Sequence, residues 1–236
     1  MVLSIDLDFI LKPCIQLYND KIHASSENLQ AMWEDIIKER DLERFLSVDS
    51  ENLEYIKNLI KSCAEQQPYV YFSDDHGSIL SAINDEILAE RMDYPIDVVN
   101  IDHHHDVYYN GNNGKDLVDK YDEADCSNWV YFLMKKRILA KYFWVRNENS
   151  IDHIGGERIL KMYKQDFDLE KTEDKKVDLL FITSSLPWFP PKFKEYYFSI
   201  IKLVLNNWED SKINFLTKTF QQDRRFKEMI QELQKQ

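Results

Sequence analysis

The sequence predicts an α/β domain, a three-layer α/β/α arrangement around a mostly parallel sheet, and three observations lead there. Short β-rich apolar runs alternate with stretches whose apolar residues recur at helical spacing. The acids and histidines that stand out in the chain fall directly after those runs, and ligands of parallel sheets gather beyond the carboxyl ends of the strands. The chain has 236 residues, 44% of them hydrophobic, which suffices for one globular core, so residues 1–236 read as a single domain.

Residues 2–5 open as a strand that runs into Asp6-Leu7-Asp8-Phe9. From Ser26, a helix-capping residue type, Leu29, Met32, Trp33, Ile36 and Ile37 share one helical face, and Leu53, Ile56, Leu59, Ile60 and Cys63 mark a second helix. At Tyr69-Val70-Tyr71-Phe72 the period changes to that of a strand, which ends in Ser73-Asp74-Asp75-His76-Gly77. Ile79, Leu80, Ile83, Ile87 and Leu88 then give another helix. A third strand, 97–101, ends in Asp102-His103-His104-His105-Asp106. Asn110-Gly111-Asn112-Asn113-Gly114 is a loop by composition that extends to Asp125, and a helix begins near Ser127. Residues 142–145 and 177–182 read as further strands. Nine of the thirteen residues in 166–178 are charged, a solvated connection. Beyond Thr183-Ser184-Ser185-Leu186-Pro187-Trp188 an amphipathic helix carries Phe193, Tyr197, Ile200, Ile201 and Val204, and the chain ends in a charged helix.

The formal charge is −12, from 30 basic and 42 acidic side chains. That balance disfavours nonspecific attraction to nucleic acid or anionic membranes and tolerates a cationic substrate. No apolar run approaches the ~20 residues of a membrane span. The first residues carry acids where a signal peptide needs an apolar core. Cys14, Cys63 and Cys126 form no close pair, as expected of reduced thiols. Together these features predict a cytoplasmic protein.

Four of the six histidines lie in two motifs, each placed after a strand. In an extended segment alternate side chains share a face, so Asp102, His104 and Asp106 point together while His103 and His105 point away. Asp6 and Asp8 share one side of their strand end for the same reason, and His76 closes a third strand. Four carboxylates and two imidazoles make a hard donor set suited to Mn²⁺, Fe²⁺ or Zn²⁺. Converging carboxylates repel, and two divalent ions would balance these four, as in two-metal sites whose ions stand roughly 3.5–4 Å apart. The structural alternative for any single motif is that its aspartates cap helices and its histidines lie in a solvated turn.

These motifs resemble those of the arginase and ureohydrolase superfamily. Ser4-Ile5-Asp6-Leu7-Asp8 is similar to its Ser-x-Asp-x-Asp, Asp102-His103-His104-His105-Asp106 to its Asp-x-His-x-Asp, and Asp75-His76 to the Asp-His of its Gly-Gly-Asp-His-Ser. The order differs, because in arginases the Ser-x-Asp-x-Asp strand comes last of the three. A Ser-Ile-Asp-Leu-Asp-Phe start with Asp-His-His and a late Pro-Pro segment resembles the atypical family that includes peptide arginases. The resemblance implies an arginase-deacetylase-like fold, two Mn²⁺ ions, and conversion of arginine side chains in a peptide to ornithine. It makes Asp6 and Asp102 bridging ligands, assigns His76 and Asp106 to one ion and His104 and Asp8 to the other, and gives Asp106 a hydrogen bond from the nucleophile.

Two departures stand beside the resemblance. Where arginases carry a proton-shuttling His-Gly, the nearest counterpart is Cys126-Ser127-Asn128-Trp129, which leaves His105 or His153 as shuttle candidates. The guanidinium-gripping acid has candidates in Asp122, Glu123 and Asp125, and Asn128 and Trp188 are further substrate-binding candidates. Trp129 is a pocket-lining or core aromatic, and Cys126, with no histidine nearby in sequence, reads as a packing residue. Gly155-Gly156 is too little for a phosphate loop. An amide deacetylase with one Zn²⁺ on the same fold, or a noncatalytic metal-binding interaction protein, are the alternative functions.

Overall fold

The computed structural model describes residues 1–12, 33, 37, 46–107, 124–150, 159–167, 176–185 and 189–216. Nine strands are found among them: β1 Val2–Asp6, β2 Leu11–Lys12, β3 Ser47–Val48, β4 Tyr69–Ser73, β5 Ile96–Asp102, β6 Leu139–Arg146, β7 Ile159–Tyr163, β8 Leu179–Thr183 and β9 Ile213–Phe215. Four α-helices accompany them: α1 Ser50–Ala64, α2 Ile79–Leu88, α3 Trp129–Lys135 and α4 Lys194–Leu205. Seven strands form one sheet in the order β7-β6-β5-β1-β8-β4-β9, and every pairing in it is parallel. β2 and β3 form a separate antiparallel pair.

Because successive strand residues face opposite ways, a strand covered on both sides is apolar throughout and divides its side chains between two cores. Leu3, Ile5, Val70, Phe72, Val99, Ile101, Leu180 and Ile182 pack with α1 and α4 on one face. Val2, Tyr71, Val98, Tyr142, Trp144, Leu179 and Phe181 pack with α2 and α3 on the other. Helices on both faces of the sheet make the three layers that the sequence predicts.

α1 begins where Asp49 accepts hydrogen bonds from the N–H groups of Glu51 and Asn52, at 2.9 and 3.3 Å. Such a cap contributes about 1 kcal/mol. Its buried stripe, Leu53, Ile56, Leu59, Ile60 and Cys63, is the one read from periodicity. In α2 the buried residues are Ile79, Ala82, Ile83 and Glu86. Leu88, assigned above to the same apolar face, is the last residue of the helix and is 74% exposed. β7 and β9 are edge strands that the sequence reading does not contain. β9 stands in the stretch before the expected terminal charged helix. Trp33 and Ile37 are helical, with Trp33 buried in the core of α1 and α4 and Ile37 packed against it. The remainder of that first helix, the 110–114 loop and the terminal residues 217–236 lie outside the described residues.

Among the described residues no helix is long and apolar enough to cross a membrane.

Candidate metal centre

The site forms where four adjacent strands, β5, β1, β8 and β4, reach their carboxyl ends. Ile5 of β1 pairs with Ile101 of β5, and Asp6 and Asp102 follow one residue on. After Asp6 the chain turns into a 3₁₀ helix, Leu7–Ile10, with Asp6 Oδ1 accepting the Asp8 N–H at 3.2 Å. The Phe9 carbonyl then accepts from the side-chain amides of Asn52, at 3.2 Å, and Asn147, at 2.8 Å. These bonds fix the turn that carries Asp8. Beyond the end of β4, Asp75 accepts the Gly77 N–H at 3.0 Å and so opens the short turn His76–Ser78. A Cβ added at Gly77 would stand 2.8 Å from the main-chain carbon of Asp125, so only glycine admits this approach.

The convergence of Asp102, His104 and Asp106 is real but its cause differs from the extended alternation expected above. β5 ends at Asp102, and the chain bends. Asp102 Oδ1 accepts the His104 N–H at 2.7 Å, and Asp106 sits at φ 50°, in the left-handed region that aspartate tolerates better than most residues. The turn aims the three side chains inward.

His76 Nδ1 faces three carboxylate oxygens, at 2.9 Å from Asp106, 3.2 Å from Asp102 and 3.3 Å from Asp6. His104 Nδ1 lies 2.8 Å from Asp8 and 3.6 Å from Asp102. Asp6, His76 and Asp102 present ligand atoms all within 4.8 Å of one another, and so do Asp8, Asp102 and His104. Asp102 belongs to both groups, turning Oδ2 to His76 and Oδ1 to His104. All six side chains are at most 5% exposed by residue.

Burial governs their electrostatics. It raises Asp6 and Asp8 above the usual carboxylate range, with neighbouring carboxylates adding to the effect. It pushes Asp106 up to about 7, Asp102 contributing to the shift. Burial alone would lower the two imidazoles and raise Asp102. Asp106 and its neighbours overcome this at His76, and Asp8 and Asp102 at His104, so both histidines are held well above their ordinary value. His104 and His76 in turn hold Asp102 well below the usual carboxylate range. Even with both imidazoles protonated, four ionised carboxylates in an apolar shell carry excess negative charge, which protons or cations must offset.

The residues fit a divalent ion on a second count. His76 Nε2 is 2.7 Å from Ser4 Oγ, while its Nδ1 has no aligned hydrogen-bond partner among the described residues, and neither has Asp8 Oδ2. An imidazole anchored through one nitrogen, with the other aimed at carboxylate oxygens it does not bond, is oriented as a metal ligand is. The ring stacks on Phe181 at 5.8 Å and meets the tilted Trp129 ring at 5.1 Å.

Several supporting residues escape sequence reasoning. Trp129 donates its indole N–H to Asp106 Oδ2 at 2.7 Å, so its part in the site is a hydrogen bond to a candidate ligand. Asn100 donates to Asp102 Oδ2 at 3.0 Å, and Trp144 donates to the Asp102 carbonyl at 3.0 Å. Ser185 donates to Asp6 Oδ2. Asn100 and Trp144 lie on strands whose apolar pattern hides them, and Ser185 is far from Asp6 in sequence.

His105, the shuttle candidate, sets its ring edge-on to Trp144 at 5.7 Å, and its Nδ1 accepts the Val107 N–H at 3.1 Å. It is outside both ligand groups, as is His103, which contacts Ser150 at 3.1 Å and whose burial takes it down to about 3. Asp125, a candidate grip for the guanidinium, accepts the Ser127 N–H at 2.8 Å and its hydroxyl at 2.7 Å. Asn128 is buried, and its Oδ1 accepts the Asp125 N–H at 2.9 Å. Both therefore spend these atoms in shaping the turn before α3. Burial and the nearby carboxylates Asp106, Asp75 and Asp125 raise the Cys126 thiol far above its usual value, the opposite of an activated nucleophile. Trp188, His153, Asp122, Glu123 and Gly155-Gly156 lie outside the described residues. No family model, no curated protein and no solved structure matches the chain.

Proposed function

We propose that this chain is a metal-dependent hydrolase of guanidino groups, a peptide arginase that converts arginine side chains of a peptide to ornithine and releases urea in the cytoplasm. The observation that carries the proposal is the sharing of Asp102 between two buried Asp/His groups. A single ion would need one of them. The likeness of the three motifs to those of ureohydrolases supplies the chemistry, and the adjacency of β5, β1, β8 and β4 brings the motifs together whatever their order in the chain.

Two Mn²⁺ ions, or Fe²⁺ or Zn²⁺, would be held by Asp6, His76, Asp102 and Asp106 on one side and by Asp8, Asp102 and His104 on the other. Where the resemblance implies that Asp6 bridges both ions, its ligand atoms fall in the first group alone, and its Oδ1 accepts the Asp8 N–H, which ties the turn of the second group to it. Bound there, such ions would supply a water that ionises near neutral pH and a positive charge against the group under attack. Asp106, fixed by the Trp129 indole, is placed to hold the proton of the attacking water. Water adds to the guanidinium carbon, the bond from that carbon to the side-chain nitrogen breaks, and the nitrogen keeps a proton as the ornithine amine. The net charge of −12 favours approach of a cationic side chain.

The test is to incubate manganese-loaded protein with an arginine-containing peptide and follow it by mass spectrometry. Each conversion removes CH₂N₂ and releases one urea, and the Asp102→Asn protein should do neither. Efficient hydrolysis of free arginine would overturn the peptide assignment while leaving the guanidine chemistry. With both ions bound and no urea from either substrate, the deacetylase or noncatalytic alternative would replace this function.

A further inference from the structure

β8 ends between β1, whose last residue is Asp6, and β4, which leads into the His76 turn, with Thr183 paired to Asp6 on one side and to Ser73 on the other. Thr183, Ser184 and Ser185 are all buried there. A buried hydroxyl costs free energy unless it is hydrogen-bonded. The Ser185 hydroxyl donates to Asp6 Oδ2, the oxygen that faces His76 Nδ1 at 3.3 Å. The other oxygen, Oδ1, is held by the Asp8 N–H at 3.2 Å. With a donor on each oxygen, the carboxylate cannot rotate freely.

The backbone of Ser185 adds a second observation. Its φ is 32°, a conformation that costs a residue with a Cβ and that glycine adopts readily. Two bonds hold it there: the Ser185 N–H donates to Thr183 Oγ1, and the Ser185 carbonyl accepts the Phe189 N–H, both at 3.1 Å. A serine at a position whose backbone suits glycine is explained by what its hydroxyl touches.

We propose that Ser185 is a positioning residue of the metal centre, its hydroxyl fixing the Asp6 carboxylate so that the Asp6, His76 and Asp102 group takes a divalent cation. This rests on the metal reading of the site and adds a residue that ligates nothing itself. Loss of such an outer hydrogen bond typically weakens metal binding by about ten- to a hundred-fold.

Ser185→Ala and Ser185→Gly test it as a pair, since both remove the hydroxyl but only glycine relieves the backbone. Chelator-treated proteins are titrated with manganese chloride while free Mn²⁺ is followed by electron paramagnetic resonance. Both variants should lose affinity for one of the two ions by about ten- to a hundred-fold and keep the other nearly as in wild type. Wild-type binding in both variants overturns the proposal. So does equal weakening of both ions, which a general loosening of the fold produces, or weakening in Ser185→Ala alone, which assigns the effect to backbone strain. A wild-type protein that binds no Mn²⁺ fails the metal reading itself and is a separate result from variants that match a wild type that binds it.

Discussion

Asp102→Asn is the most discriminating substitution at this site, because each Asp102 oxygen serves a different group. Oδ1 accepts the His104 N–H at 2.7 Å and Oδ2 accepts the Asn100 amide at 3.0 Å. An asparagine keeps only one acceptor, so one of those buried donors meets an amide NH₂, at a cost of about 1–3 kcal/mol. On the proposed two-ion reading the larger effect is on the ions, since both would lose a ligand and the site would lose a charge. At a hundred times its dissociation constant, an ion bound only by the folded chain stabilises it by about 2.7 kcal/mol. Two ions then contribute about 5 kcal/mol, or about 10–20 °C in melting temperature at this chain length. Asp8→Asn, which touches one group, should leave about half of that increment and one ion per chain. Asp102→Asn should leave neither ion and no increment. Elemental analysis of desalted protein, with calorimetry before and after chelation, reads both quantities. Equal stoichiometry in the two variants would refute the bridging role of Asp102, as would an Asp8→Asn protein that loses both ions.

Other outcomes follow from the same geometry. In metal-free protein Asp6, Asp8, Asp106, His76 and His104 all have raised values, so each contributes stability that is complete below its unfolded-state pKa and is lost as pH rises through the folded one. For Asp106 that window runs from about pH 4 to about 7. Asp102, lowered, acts oppositely, but only at pH below the usual carboxylate range. Melting temperature of the chelated protein should therefore fall between pH 5 and 8, and the gap to manganese-loaded protein should widen. A gap independent of pH would contradict the account. Gly77→Ala forces a Cβ to 2.8 Å from Asp125 main chain and so displaces the His76 turn. It should cost about 1–3 kcal/mol by denaturant unfolding and weaken manganese binding at His76 as well. Unchanged stability and metal content would show that the turn tolerates the shift.

The central strands were legible because burial on both faces makes them continuous apolar runs, as in residues 69–72 and 142–145. The edge strands β7 and β9 were not, since Lys161 interrupts the apolar run of β7 and β9 is only three residues long. The six candidate ligands were legible for a different reason: each lies within a few residues of a strand end, and strand ends of a parallel sheet converge in space. What sequence spacing did not show is how Asp102, His104 and Asp106 meet. That depends on a bend after β5 and a left-handed Asp106, and neither has a period to read. Contacts such as Trp129 to Asp106 or Ser185 to Asp6 are set by helix and strand packing, so Trp129 was readable as a buried or pocket aromatic but not as a hydrogen-bond donor to a ligand.

The most direct test of the metal centre is anomalous diffraction at the manganese edge from crystals of manganese-loaded protein. Two peaks are expected, one among Asp6, His76 and Asp102 and one among Asp8, Asp102 and His104, with Asp102 contacting both. Crystals that show no anomalous peak among these side chains at saturating manganese would contradict the account.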